Sequence, residues 1–152
     1  MAILKKKKAF PPEFTLEEMT QSNTAKRLGL DNVPTGQVLD NLQSTATKLI
    51  AVKEELLGWP VIVNSGYRSP ELNKHIPGSS DTSAHTLGWA ADIKCPGYGT
   101  PYRVAAKLAD CGIKFDQLIY EYGSWVHISF DPRMRQQVLT IDKSGTRPGL
   151  HL

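Results

Sequence analysis

The segment Gln117-Leu-Ile-Tyr-Glu121, followed by Trp125-Val-His-Ile-Ser-Phe130, constrains this chain more than any other. Both halves are short and rich in β-branched and aromatic residues, and a turn near Gly123 separates them. That is the pattern of an antiparallel hairpin. Side chains alternate between faces along a strand. Val126, Ile128 and Phe130 therefore share one face and belong to a core, whereas Trp125, His127 and Ser129 share the other. On the first strand Glu121 shares a face with Gln117 and Ile119. Whether Glu121 meets His127 depends on the loop. An odd-length loop centred on Ser124 pairs Tyr122 with Val126 and sets Glu121 directly across from His127. A two-residue Gly123-Ser124 turn sets Tyr120 there instead and removes Glu121.

A second stretch, Ser83-Ala-His-Thr-Leu-Gly-Trp-Ala-Ala-Asp92, places an imidazole and a carboxylate among small residues that let backbones approach closely. The rest reads as a scaffold for these two stretches. Residues 1–12 form an expected flexible basic tail ending in Pro11-Pro12. Thr15-Leu-Glu-Glu18 is a capping box, and Ser22-Asn-Thr24 starts another helical turn that Gly29 ends. After the loop Asp31–Pro34, Val38, Leu39, Leu42, Ala46, Leu49, Val52 and Leu56 recur at helical spacing, from a Thr35 cap to a stop at Gly58. Trp59–Asn64 reads as a buried strand and Ala90–Ile93 as a tightly packed one. Ser69-Pro70 and Thr100-Pro101 each read as an N-cap with proline at the first helical position. They open helices over Glu71–His75 and Tyr102–Asp110. Gln136–Ile141 is a further strand, and the tail over 143–152 is expected to be irregular. The fold class is α+β: a small antiparallel sheet with helices packed on one face.

With 152 residues the chain can bury one real core, and 22% charged against 40% hydrophobic residues is ordinary globular composition. A net charge of +3 is too mild for a nucleic-acid binder. The run Lys5–Lys8 is the one dense basic cluster, a solvated terminus or a weak attraction to an anionic polymer such as a bacterial wall. No run reaches membrane-spanning length, and Met1-Ala-Ile-Leu followed by four lysines is not a signal peptide. The expected place of synthesis is a host cytoplasm. Cys95 and Cys111 make no disulfide framework, and Cys95 reads as a small buried hydrophobe despite lying three residues after Asp92.

Two histidines and a carboxylate, His85, His127 and Asp92, satisfy the ligand count of a catalytic zinc, which keeps its fourth position for water. Glu121 is the carboxylate placed to move the proton. Each residue also has a plain structural reading. His85 can be a partly exposed loop residue, Asp92 can cap or pair with Lys94, and His127 can be a satisfied half-buried strand histidine. His75 and His151 read as surface residues.

Ser83-Ala-His85, Gly88, Ala90 and Asp92 match the S-x-H-x-x-G-x-A-x-D signature of the zinc D-alanyl-D-alanine peptidases, and Trp125-Val-His127 matches their W-x-H. Ser65-Gly-Tyr-Arg-Ser69 resembles the family's S-G-Y-R-S turn. Phe14-Thr-Leu-Glu-Glu-Met resembles the start of a branch common in phage and prophage genomes. The resemblance covers about residues 13 to 142. It implies one Zn2+ per chain on His85, Asp92 and His127, cleavage of peptide bonds in peptidoglycan stems, and a monomer that neither inserts in membranes nor binds nucleic acid. It also implies that Arg68 holds the substrate or polarises its carbonyl, and that Ser83 and Trp125 contact substrate. A carboxypeptidase, a cross-bridge endopeptidase and an L-alanyl-D-glutamate endopeptidase all share this ligand set. A phage lysis enzyme (endolysin) released to the wall by a holin, or a virion-borne enzyme, fits the missing signal peptide.

Many members place the catalytic glutamate three residues before the last histidine, where this chain has Ser124. Hedgehog signalling domains, structural relatives of these peptidases, carry it six residues before. Phe115-Asp116, Tyr120-Glu121 and His127 resemble that arrangement, which puts the base at Glu121 with Asp116 second. Ser124 also favours the competing reading, a zinc-containing binding or virion assembly protein without turnover.

Overall fold

Alternation along the strands decides the layering. A computed structural model describes residues 10–152. It contains helices α1 (Leu16–Thr20), α2 (Asn23–Leu28), α3 (Gly36–Glu55), α4 (Pro70–Lys74) and α5 (Pro101–Asp110). Strands β1 (Ile62–Ser65), β2 (Ala90–Lys94), β3 (Gln117–Glu121), β4 (Trp125–Ser129), β5 (Gln137–Asp142) and β6 (Gly145–Pro148) form one sheet in the order β1-β2-β4-β3-β5-β6. On one face Ala91, Ile93, Cys95, Leu118, Tyr120, Val126 and Ile128 are buried in a single core with Leu42, Ala46, Leu49 and Val52 of α3 and Val104, Ala105 and Leu108 of α5. The other face carries Asp92, Glu121 and His127.

Four of the five expected N-caps make the side-chain bond that the sequence implies. Thr15, Ser22, Ser69 and Thr100 hydroxyls accept the backbone N–H groups of Glu18, Ala25, Leu72 and Arg103, and Gly29 closes α2 at φ 66°. Thr35 makes no such side-chain bond.

Five expectations change. The strand expected to be buried over Trp59–Asn64 is Ile62–Ser65, an edge strand whose residues alternate between exposed and half-buried. The sheet is mixed, because β3 and β5 run parallel while every other pair is antiparallel. The connection between β4 and β5 carries the chain back along the sheet, and β5 takes the open edge of β3 rather than that of β4, which β2 occupies. Residues 143–152 are not wholly irregular: Gly145–Pro148 pairs with β5, and Thr140 Oγ1 accepts the His151 N–H at 3.0 Å. Phe10, at the end of the expected tail, packs on the core; residues 1–9, with Lys5–Lys8, lie outside the described residues. Finally, Ala84–Leu87 forms a 3₁₀ turn capped by Ser83 rather than the expected loop.

That turn is held from α3. Asn41 Nδ2 donates to Leu87 O (2.9 Å) and Thr45 Oγ1 to Gly88 O (2.7 Å). Gly88 sits at φ 81°, and a Cβ there would lie 2.6 Å from Val38 O and 3.0 Å from Leu42 N. Both the left-handed backbone and the helix contact therefore require glycine. Gly88→Ala is expected to lower stability by roughly 1–3 kcal/mol, seen as a lower urea midpoint at unchanged m-value.

Asp116 is clamped at the far end of β3. Its side chain is 1% exposed, and its carboxylate accepts Arg135 Nε (2.8 Å), Arg135 Nη2 (2.9 Å) and the Arg135 backbone N–H (3.0 Å). The Arg135 hydrogen bond outweighs burial and holds its carboxyl below the usual carboxylate range. A depressed folded-state pKa contributes stability above the unfolded value and loses it as pH falls through the folded one. Asp116→Asn should therefore cost about 1–3 kcal/mol at neutral pH. The gap to the parent should narrow below about pH 4, as measured by urea unfolding at several pH values.

Candidate metal centre

Two antiparallel neighbours bring the polar face together. In the β2–β4 ladder Asp92 pairs directly with His127. His85 arrives from the 3₁₀ turn just ahead of β2. Its Nε2 lies 3.2 Å from Asp92 Oδ1, and His127 Nδ1 lies 3.0 Å from the same oxygen. The two imidazoles meet edge to face with centroids 5.0 Å apart. His85, Asp92 and His127 are all buried and present one ligand atom each within 4.8 Å of one another. They are the one such group of three among the described residues.

The donor set fits a tetrahedral metal. Ligand atoms on a zinc with bonds of about 2.0–2.1 Å stand about 3.3 Å apart, close to the two observed separations. The tautomer of His85 is also set: Gly66 O lies 2.7 Å from its Nδ1 and takes that proton, leaving the Nε2 lone pair facing Asp92. Gly66 is itself required, since a Cβ there would collide with the Met19 backbone, whose carbonyl accepts the Tyr67 N–H at 2.8 Å.

The electrostatics suit a cation. Burial lowers the pKa of His85 by more than Asp92 raises it, so the ring is kept neutral and able to ligate. Burial raises Asp92, but the two histidines outweigh it and hold the carboxyl far below its ordinary range. Burial lowers His127, yet its bond to Asp92 and the charges of Asp92 and Glu121 hold it above its ordinary value. The two carboxylates thus favour positive charge at this position, which a bound cation would also supply.

Glu121 lies beside this group, with Oε1 4.0 Å from His127 Nδ1. Burial is the main influence raising its pKa, against the opposing charges of His127 and Arg68. The route by which it gets there differs from the expected register. The loop is odd, but it spans Tyr122, Gly123 and Ser124 and is centred on Gly123, so Glu121 pairs with Trp125 and Ile119 with His127. Tyr122 and Gly123 both adopt left-handed backbone (φ 53° and 65°), and Ser124 N–H donates to Glu121 O. Odd parity keeps Glu121 on the face of His127, one diagonal step away rather than directly opposite. Ser124 is exposed in the loop, its hydroxyl donating to Tyr122 O. Asp116, the second choice for a base, is committed to Arg135.

Arg68 follows the Gly66 turn. Its N–H donates to His85 O (3.2 Å), its Nη2 donates to Ser83 Oγ (3.3 Å), and its Nε is buried without a hydrogen-bond partner. Burial lowers its pKa, against the opposing charges of Asp92 and Glu121. Ser83 Oγ also accepts the His85 N–H (3.2 Å), so it fixes both the arginine and the turn. Trp125 Nε1 is buried without a well-formed hydrogen bond, although the indole lies near enough to draw the Glu121 carboxyl down. Cys95 faces the core, its Sγ toward Trp59 O at 3.7 Å, on the side of β2 away from Asp92. His75 and His151 are exposed and outside the group.

Sequence reasoning missed three supports. Asn32 is buried, donates to Thr20 O and Tyr67 O, and accepts Ser69 N–H, tying α1 to the arginine turn. Asn41 and Thr45 tie the 3₁₀ turn to α3. The last two were readable as a polar pair at helical spacing inside an apolar stripe, which calls for partners; an asparagine in a loop carries no such mark.

A model of the Peptidase M15 family matches residues 12–129. A comparison with curated proteins finds no match. No helix among the described residues is long and apolar enough to cross a membrane. The family match spans the arginine turn, the 3₁₀ turn and the whole hairpin, so the chain belongs to the Peptidase M15 family, the zinc D-alanyl-D-alanine carboxypeptidases.

Proposed function

We propose that this protein is a zinc-dependent peptidase that cleaves peptide bonds in peptidoglycan stems, in the manner of a phage or prophage lysis enzyme. The observation that carries the reading is the buried His85–Asp92–His127 group with Glu121 beside it. His85 Nε2, Asp92 Oδ1 and His127 Nδ1 would hold the ion. When bound, zinc supplies a water acidic enough to yield hydroxide near neutral pH and a Lewis acid for the peptide carbonyl.

Glu121 takes the proton of the attacking water and returns it to the departing amine. Burial raises its pKa, which makes the carboxylate a stronger base. Arg68 holds the substrate carbonyl or carboxylate, and its buried, unpaired Nε is a donor that such an oxygen would satisfy. Ser83 orients that guanidinium, and Trp125 lines the substrate side next to Glu121.

Mass spectrometry of fragments released from purified peptidoglycan, with zinc and with a chelator, tests the reading. A chelator-sensitive product is expected, and its mass names the bond cut. Zinc retained with every stem intact would overturn turnover and leave the binding or assembly reading. Glu121→Ala should retain zinc by metal analysis and lose activity about 10²- to 10⁴-fold. His127→Ala should lose both. Full cleavage by the Glu121→Ala chain would remove Glu121 from the mechanism.

A further inference from the structure

The hairpin tip carries a feature that the ligand set does not explain. Tyr122 is a non-glycine residue at φ 53°, a left-handed backbone that bulky side chains seldom adopt. It is locked there, because its N–H donates to Ile141 O at 2.8 Å. The ring is not buried in compensation: Tyr122 is 51% exposed and lies tilted against Trp125, with centroids 5.7 Å apart. A strained backbone that holds an exposed aromatic ring points to use of that ring.

Its position gives the use. Along the polar face the ladder rows run from Ser129 and Gln117, through His127 and Ile119, to Trp125 and Glu121, and then to Tyr122 at the tip. Two residues along a strand advance about 7 Å, the reach of about two residues of extended peptide. If Glu121 hands its proton to the departing amine, the leaving side of the peptide lies on the Glu121 side of the metal ligands. The surface one step further out is the Tyr122–Trp125 pair.

We propose that Tyr122, tilted against Trp125, is a specificity-determining residue that receives the leaving-side portion of the peptide and favours apolar side chains there. This rests on the peptidase reading and on Glu121 as the base. An aromatic face packs on methyl groups and peptide planes without demanding a charge.

The test uses the full zinc-loaded chain and synthetic stem peptides that share the acyl part and differ only on the leaving side. Tyr122→Asn suits it, because asparagine tolerates left-handed backbone. This variant should melt no lower than the parent yet raise KM about three- to tenfold for peptides with an apolar leaving residue. The rise should be larger than any change in kcat and should shrink when glycine leaves. Tyr122→Phe should restore the parent KM. An unchanged KM in Tyr122→Asn, or an equal rise for every leaving residue, overturns this inference while the peptidase reading stands. A parent chain that cuts none of the peptides overturns both.

Discussion

Everything at the site depends on one ladder pair, Asp92 against His127. Neighbouring strands stand about 4.8 Å apart, so a directly opposed pair brings two side chains into contact with no help from loops. The same pairing turns Ala91, Ile93, Val126 and Ile128 to the other face, where α3 and α5 cover them. Core and candidate metal centre are thus two sides of one register. A slip by one residue would bury the ligands among leucines and expose the core.

The third candidate ligand needs different support, because it comes from a short turn. His85 is held at its backbone by Ser83 and Arg68, at its ring by Gly66 O, and beneath by Asn41, Thr45 and the close contact of Gly88 with α3. Several of these partners are backbone carbonyls and glycines, which explains the density of small residues around the signature. Small residues let rigid backbone act where side chains would need space. Arg68 lies in the same net, so the arginine and the candidate metal ligands share one support.

The sequence was most informative where a regular period links residues. Alternation separated the two faces of β4 correctly, and the α3 stripe marked the core helix. Capping residues located helix starts closely, since a side-chain hydroxyl and a free N–H are local partners. Reading was weakest where partners are distant. β5 runs parallel to β3 because β2 already occupies the far edge of β4, a competition for edges that local propensity does not record. β6 exists because β5 offered it an edge, although Gly145-Thr-Arg-Pro148 has little strand character of its own.

The amino-acid sequence by itself determined the residue types of the candidate ligands, the faces on which His127 and Glu121 lie, most of the helix caps, and the motif set that carries the Peptidase M15 family. These follow from chemistry and from periods shorter than one element. Only the tertiary structure decided the loop over Tyr122–Ser124, the diagonal rather than direct approach of Glu121 to His127, the tautomer of His85, and the burial that shifts each titrating group. Those depend on how desolvation and hydrogen bonds combine across residues far apart in the chain, and that sum exists only once the chain is folded.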